Sequence, residues 1–151
     1  MLQLQSKLPS QGVTIFSVMT ELAQRLNALN LSQCFPDFPA PPALIEALCH
    51  ATQSGYNQYP AGDGVLALRE QLAQQFLQRD QLQLDPITEI TITPGATIAI
   101  FCAIQACIHA DDEVIIFDPS YDSYAPAVQL AGGKSVHIHL EAPTFQVNWQ
   151  T

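Results

Sequence analysis

Two short stretches gather residue types that could hold a ligand. The first is "TPGAT", residues 93–97, set between the β-branched run "EITIT" and the apolar run "ATIAIFCAIQACIHA". Gly95 permits a sharp turn and a close backbone approach. Ala96 and Thr97 would then open a helix, where free N–H groups and the helix dipole favour an anion. Thr97 adds a hydroxyl. The second stretch is "FDPSYDSY", residues 117–124. Asp118 and Pro119 end an apolar run, and Tyr121 and Tyr124 follow at the start of a helical pattern. An aromatic ring there can stack on a flat heteroaromatic ligand, or pack as an ordinary half-buried side chain. The turn after residue 93 is likewise open to two readings, a plain strand-to-helix connection or an anion site. It carries neither a Gly-Lys-Ser/Thr phosphate loop nor a GxGxxG dinucleotide fingerprint.

Other chemistries find less support. Cys34, Cys49, Cys102 and Cys107 form no CxxC pair, and the four histidines are not spaced with them for zinc. No metal site is expected. The thiols read as reduced, which points to a cytoplasmic setting, with Cys102 and Cys107 buried in an apolar helix. The five basic residues, Lys7, Arg25, Arg69, Arg79 and Lys134, are scattered, and the net charge is −9, so no basic patch can form for nucleic acid or an anionic membrane. The N-terminus lacks a signal-peptide layout, and no apolar run is long enough to span a bilayer. A hydrophobic share of 48% over 151 residues is enough to build a domain core.

The elements that must position these stretches can be read from periodicity. Residues 13–30 carry apolar side chains at helical spacing, with Thr14 as cap. A proline-rich extended segment follows, and "PALIEALCHATQSG" is a helix opened by Pro and closed by Gly55. "YNQYPAGDG" is a loop. Residues 64–80 form an amphipathic helix with Leu66, Leu68, Leu72, Phe76 and Leu77 on one side. The pattern then alternates: strand "EITIT", a buried helix, strand "DEVIIFD" covered on both faces, helix "SYAPAVQLAGG", and strand "SVHIHL". Such alternation predicts parallel βαβ units, with ligands bound beyond the carboxyl ends of the strands. The fold class is α/β, a partial three-layer αβα arrangement behind a helical and extended N-terminal arm.

Four segments in order, "NLSQCFPDFPAPPALIEAL", "NQYPAGDGVLALREQLA", "ITITPGATIAIFCAI" and "ADDEVIIFDPSYDSYAPAVQLAGGK", resemble the N-terminal part of fold type I, class I/II aminotransferases dependent on pyridoxal 5′-phosphate. The methionine and kynurenine aminotransferase subgroup is the nearest likeness, from about Ser6 to Trp149. The resemblance implies transfer of an amino group between an amino acid and a 2-oxo acid in a homodimer. It implies an arm and substrate-side segment over residues 1–40, then the first part of the cofactor-binding large domain over 41–151. Gly95, Ala96 and Thr97 match the turn that holds the cofactor phosphate, and Tyr121 matches the ring stacked on the pyridine. Tyr59 matches the tyrosine that reaches the phosphate of the neighbouring subunit. Cys34 stands where the family has a Gly beside the substrate carboxylate, and Phe16 falls on the substrate side.

The family's Schiff-base lysine, its acidic partner for the ring nitrogen and its carboxylate-binding arginine lie beyond residue 151, so no catalytic residue is expected here. Lys7 and Lys134 are not placed to substitute. The chain then reads as an N-terminal fragment, inactive alone. Two alternatives stand beside this one: a non-catalytic remnant that associates with an intact paralogue, and a Rossmann-like nucleotide-binding domain, which the missing glycine fingerprint disfavours.

Overall fold

The computed structural model describes residues 5–33 and 36–150. Five helices and two strands follow in the order α1 (Ile15–Leu26), α2 (Pro42–Gln53), α3 (Leu66–Asp80), α4 (Ala96–Cys107), β1 (Glu113–Asp118), α5 (Tyr124–Ala131) and β2 (Lys134–His139). They fall into two compact units, one of Met1–Val18 with Pro94–Thr151 and one of Met19–Thr93.

The first unit carries the β-α-β core. β1 and β2 pair in parallel, in a register running from Glu113 beside Lys134 to Asp118 beside His139. The tight return from α5 to β2 depends on Gly132 and Gly133. Gly132 takes φ +87°, and the Gly133 N–H donates to the Val128 carbonyl at 3.0 Å. A Cβ on Gly133 would lie 2.8 Å from the Ile108 side chain, so only glycine fits there without a shift. Gln105 ties α4 to α5 by donating to the Ala127 carbonyl at 3.0 Å. Ile116, Ala127 and Val128 are buried and form the core of this unit.

The second unit is built around a cation. Arg69 on α3 is 5% exposed. Its guanidinium pairs with Asp63 at 2.7 Å and donates to the Pro86 carbonyl at 2.9 Å. A buried charge is tolerated only when paired and hydrogen-bonded in this way. Asp63 in turn accepts the Ile92 N–H through its backbone carbonyl at 3.0 Å, and Gly64 abuts the Ile92 side chain. Arg69 and Ile92 thereby fix the end of the loop that carries Tyr59. The turn at 85–89 is closed by Asp85, which accepts from the Ile87 N–H and the Thr88 hydroxyl. These bonds, the backbone one first, hold its carboxyl below the usual range.

Several expectations hold. Thr14 caps α1, accepting from the Ser17 N–H at 3.3 Å. α2 starts at Pro42, and Gly55 beyond its end takes φ +90°. The second and third expected strands are β1 and β2. Others are corrected. Residues 89–93 join no β ladder among the described residues, and the Ile92 N–H bonds to the Asp63 carbonyl instead of a strand. α4 has no buried residue, and Cys102 and Cys107 are exposed rather than buried. α5 is the one helix or strand described in contact with α4, so the rest of its apolar surface is uncovered. β1 is covered on one face: Ile116 is buried while Ile115 is 63% exposed. On α3 the buried residue is Arg69, and Leu66, Leu68 and Leu77 are exposed.

Candidate functional site

The carboxyl end of β1 and the amino end of α4 belong to the same unit. Gly95 caps α4 with φ +93° and ψ 162°, a region essentially confined to glycine. A Cβ built there would meet nothing within 4 Å. A glycine at the cap position has no side chain of its own to cap the helix, and Ala96 and Thr97 open its first turn. Thr97 lines a groove of about 320 Å³ with Ser123, Pro126 and Ala127, which places the starts of α4 and α5 side by side.

Tyr121 sits in the turn between β1 and α5, 47% exposed. Its ring lies 5.9 Å from that of Phe16 at 33° and 6.0 Å from that of Tyr124 at 51°. These are favourable offset or tilted aromatic geometries, so the ring is supported on two sides while keeping an exposed part. Tyr121 and Tyr124 also line a cavity of about 460 Å³ with Ile100 and Ile104 of α4 and Phe117 of β1. Of the residues singled out in the sequence, the structure therefore gathers Gly95, Ala96, Thr97, Tyr121 and Phe16 into one unit. Tyr59 belongs to the other unit, fully exposed on its loop. Cys34 lies outside the described residues.

The turn bearing Tyr121 is held by an arrangement that sequence reading does not anticipate. The His137 ring nitrogen Nδ1 lies 2.6 Å from the Asp118 carboxylate oxygen Oδ2. The Ser120 hydroxyl donates to Oδ1 at 3.2 Å, and the Leu140 N–H donates to the Asp118 carbonyl at 2.7 Å. The partners are 19 residues apart, and the β1–β2 register is the signal that brings them together. Lys134 is at the opposite end of the sheet, opening β2 and pairing with Asp111 at 2.8 Å. Among the described residues no group of three or more His, Cys, Asp or Glu could hold a metal ion, and no helix is long and apolar enough to cross a membrane.

Comparison with known proteins identifies the family. The model of the family "Aminotransferase class I and II" matches residues 27–151. The chain belongs to that family. Methionine aminotransferase of Escherichia coli is 51% identical over 146 residues, covering 97% of this chain and 38% of that protein. Human kynurenine–oxoglutarate transaminase 1 is 36% identical over 139 residues, covering 86% of this chain and 33% of that protein. A crystal structure from E. coli, reported with a methionine aminotransferase function, superposes with a TM-score of 0.92 at 51% identity, covering 99% of this chain and 39% of that one. The chain thus spans a little over a third of the length of the relatives it matches. The α/β architecture is that of the fold type I aminotransferases, of which it forms a partial domain. Members of the family are enzymes dependent on pyridoxal phosphate.

Proposed function

We propose that this chain supplies the phosphate-holding and ring-stacking part of a pyridoxal phosphate-dependent aminotransferase. The observation that carries the reading is the start of α4 at Gly95, whose backbone angles favour glycine and whose Cβ position is open, in one unit with the supported ring of Tyr121. These residues fit the cofactor. The backbone N–H groups of Ala96 and Thr97 bind the phosphate with the dipole of α4 behind them, and Thr97 contributes its hydroxyl. Tyr121 stacks on the pyridine ring and fixes its plane, with Phe16 behind it toward the substrate side. Bound there, pyridoxal phosphate supplies an electron-withdrawing ring that eases loss of the α-proton of an amino acid.

The remaining roles follow from the family resemblance. Residues 1–40 serve as arm and substrate-side segment and 41–151 as the first part of the cofactor-binding domain. Tyr59 reaches the phosphate held by a second copy in a homodimer, which its full exposure permits. Cys34 adjoins the substrate carboxylate. Neither lysine of the chain provides the covalent attachment, in keeping with Lys134 being at the far end of β2 and paired with Asp111. Amino transfer itself then needs residues that these 151 do not include. Methionine is the first amino donor to try, given the 51% identity to the E. coli enzyme, with a 2-oxo acid as acceptor; the compartment is the cytoplasm.

Equilibrium dialysis of the purified chain against pyridoxal phosphate tests the reading. Saturable binding displaced by inorganic phosphate is expected, with no adduct trapped by borohydride. Absence of saturable binding sinks the cofactor assignment. A trapped adduct on Lys7 or Lys134 sinks the assignment of the covalent role elsewhere.

A further inference from the structure

We infer that His137 is a positioning residue for the cofactor-stacking tyrosine. The inference rests on the cofactor reading above for its functional consequence, and on geometry alone for the positioning itself. Tyr121 is three residues beyond the end of β1, in a turn that owes its placement to Asp118. Each polar group of Asp118 beyond its own strand is engaged: Oδ2 with His137, Oδ1 with Ser120, and the backbone carbonyl with the Leu140 N–H. Of these, the His137 contact is the shortest, at 2.6 Å, and it joins the last residue of β1 to β2.

Asp118 belongs to the ladder, so the Ser120 hydroxyl bond to its carboxylate ties the turn to the sheet. His137 orients that carboxylate, because its own backbone is fixed in the β ladder beside Ile116, which is buried. The direct register partner of Asp118 is another histidine, His139, yet the carboxylate is paired with His137. Beyond the turn, the Tyr124 N–H donates to the Tyr121 carbonyl at 3.3 Å and α5 begins. The turn bearing Tyr121 is therefore held from one side by the start of α5 and from the other by the Ser120 bond to a carboxylate that His137 orients. Releasing the His137 contact leaves Phe16 and Tyr124 in place but lets the turn sample other conformations, which lowers the fraction of molecules with the ring ready to stack.

The test compares the full chain with His137→Leu, His137→Asn and His139→Leu, using two readouts. The first is hydrogen–deuterium exchange of the amides at 120–123 without cofactor. The second is the affinity for pyridoxal phosphate. Loss of one partly exposed charge-assisted hydrogen bond is expected to speed exchange in the turn and weaken binding by about threefold to tenfold in His137→Leu. His137→Asn, whose side-chain amide can still donate toward Asp118, should recover most of both, and His139→Leu should match the parent chain. Unchanged exchange in His137→Leu, or equal damage from the Leu and Asn variants, overturns the inference. Faster exchange with unchanged cofactor affinity also overturns it. If the parent chain fails to bind the cofactor, the reading of the previous section falls instead. The exchange comparison still decides whether His137 holds the turn.

Discussion

Gly95 is the residue on which the phosphate assignment turns. Its space is open, so a methyl group there meets no neighbour. Its backbone angles, φ +93° and ψ 162°, are nevertheless ones that a side chain makes costly, by about 1–3 kcal/mol. Gly95→Ala should therefore leave the fold intact but pull the turn away from these angles, weakening cofactor binding on the order of tenfold. Isothermal titration calorimetry with pyridoxal phosphate checks this, with circular dichroism confirming an unchanged helix content. Unaltered affinity would mean that the phosphate is held elsewhere. At this scale the sequence is informative where chemistry is local. Gly95, Ala96, Thr97 and Tyr121 lie within short stretches whose types announce their possible use. It is silent where a partner comes from another strand, as with His137 and Asp118. Neither residue type nor spacing reveals that bond until the ladder fixes the register.

At the scale of elements, Arg69 and Gly64 set the loop that bears Tyr59. Arg69→Leu removes an ion pair at 2.7 Å and leaves the Pro86 carbonyl without its donor; Asp63 stays 43% exposed in its side chain and can be solvated. The expected cost is about 2–3 kcal/mol, below that of a fully buried pair. Gly64→Ala faces two penalties, φ +99° and a Cβ that would sit 2.5 Å from the Ile92 side chain. It should cost about 2–5 kcal/mol, the sum of the backbone and overpacking terms. Urea unfolding of each variant measures these losses; a midpoint equal to that of the parent would show that the loop is not held as described. The helices around this loop are legible from apolar spacing, as α2 and α3 demonstrate. The direction of their faces is not. α3 reads as turning its leucines inward, whereas Arg69 is what it buries, because two carbonyls and a carboxylate converge on that position. Residues 89–93 mislead for a related reason. A β-branched run states a preference for extended backbone, and a ladder partner decides whether it becomes a strand.

On the scale of the whole molecule, apolar surface outweighs the cover available to it. Ile115 and Phe117 on one face of β1, Leu44, Ile45 and Leu48 on α2, and Trp149 are all substantially exposed. α4, apolar along its length, has no buried residue. Large exposed apolar areas favour association and loose packing. The isolated chain should accordingly bind 8-anilinonaphthalene-1-sulfonate strongly and melt over a broad range at modest temperature. Weak dye binding with a sharp, high-temperature transition would show that these faces are covered in solution.

The family assignment and the α/β architecture stand on the sequence match and the superposition. The claim most in need of measurement is that Gly95, Ala96, Thr97 and Tyr121 together hold pyridoxal phosphate. A titration followed by ¹H–¹⁵N correlation spectra reads it residue by residue. The account predicts that the amide signals of Gly95, Ala96, Thr97 and Tyr121 shift together and saturate with one dissociation constant. They should return on adding excess inorganic phosphate. Shifts that cluster elsewhere in the chain, or that do not saturate, would contradict it.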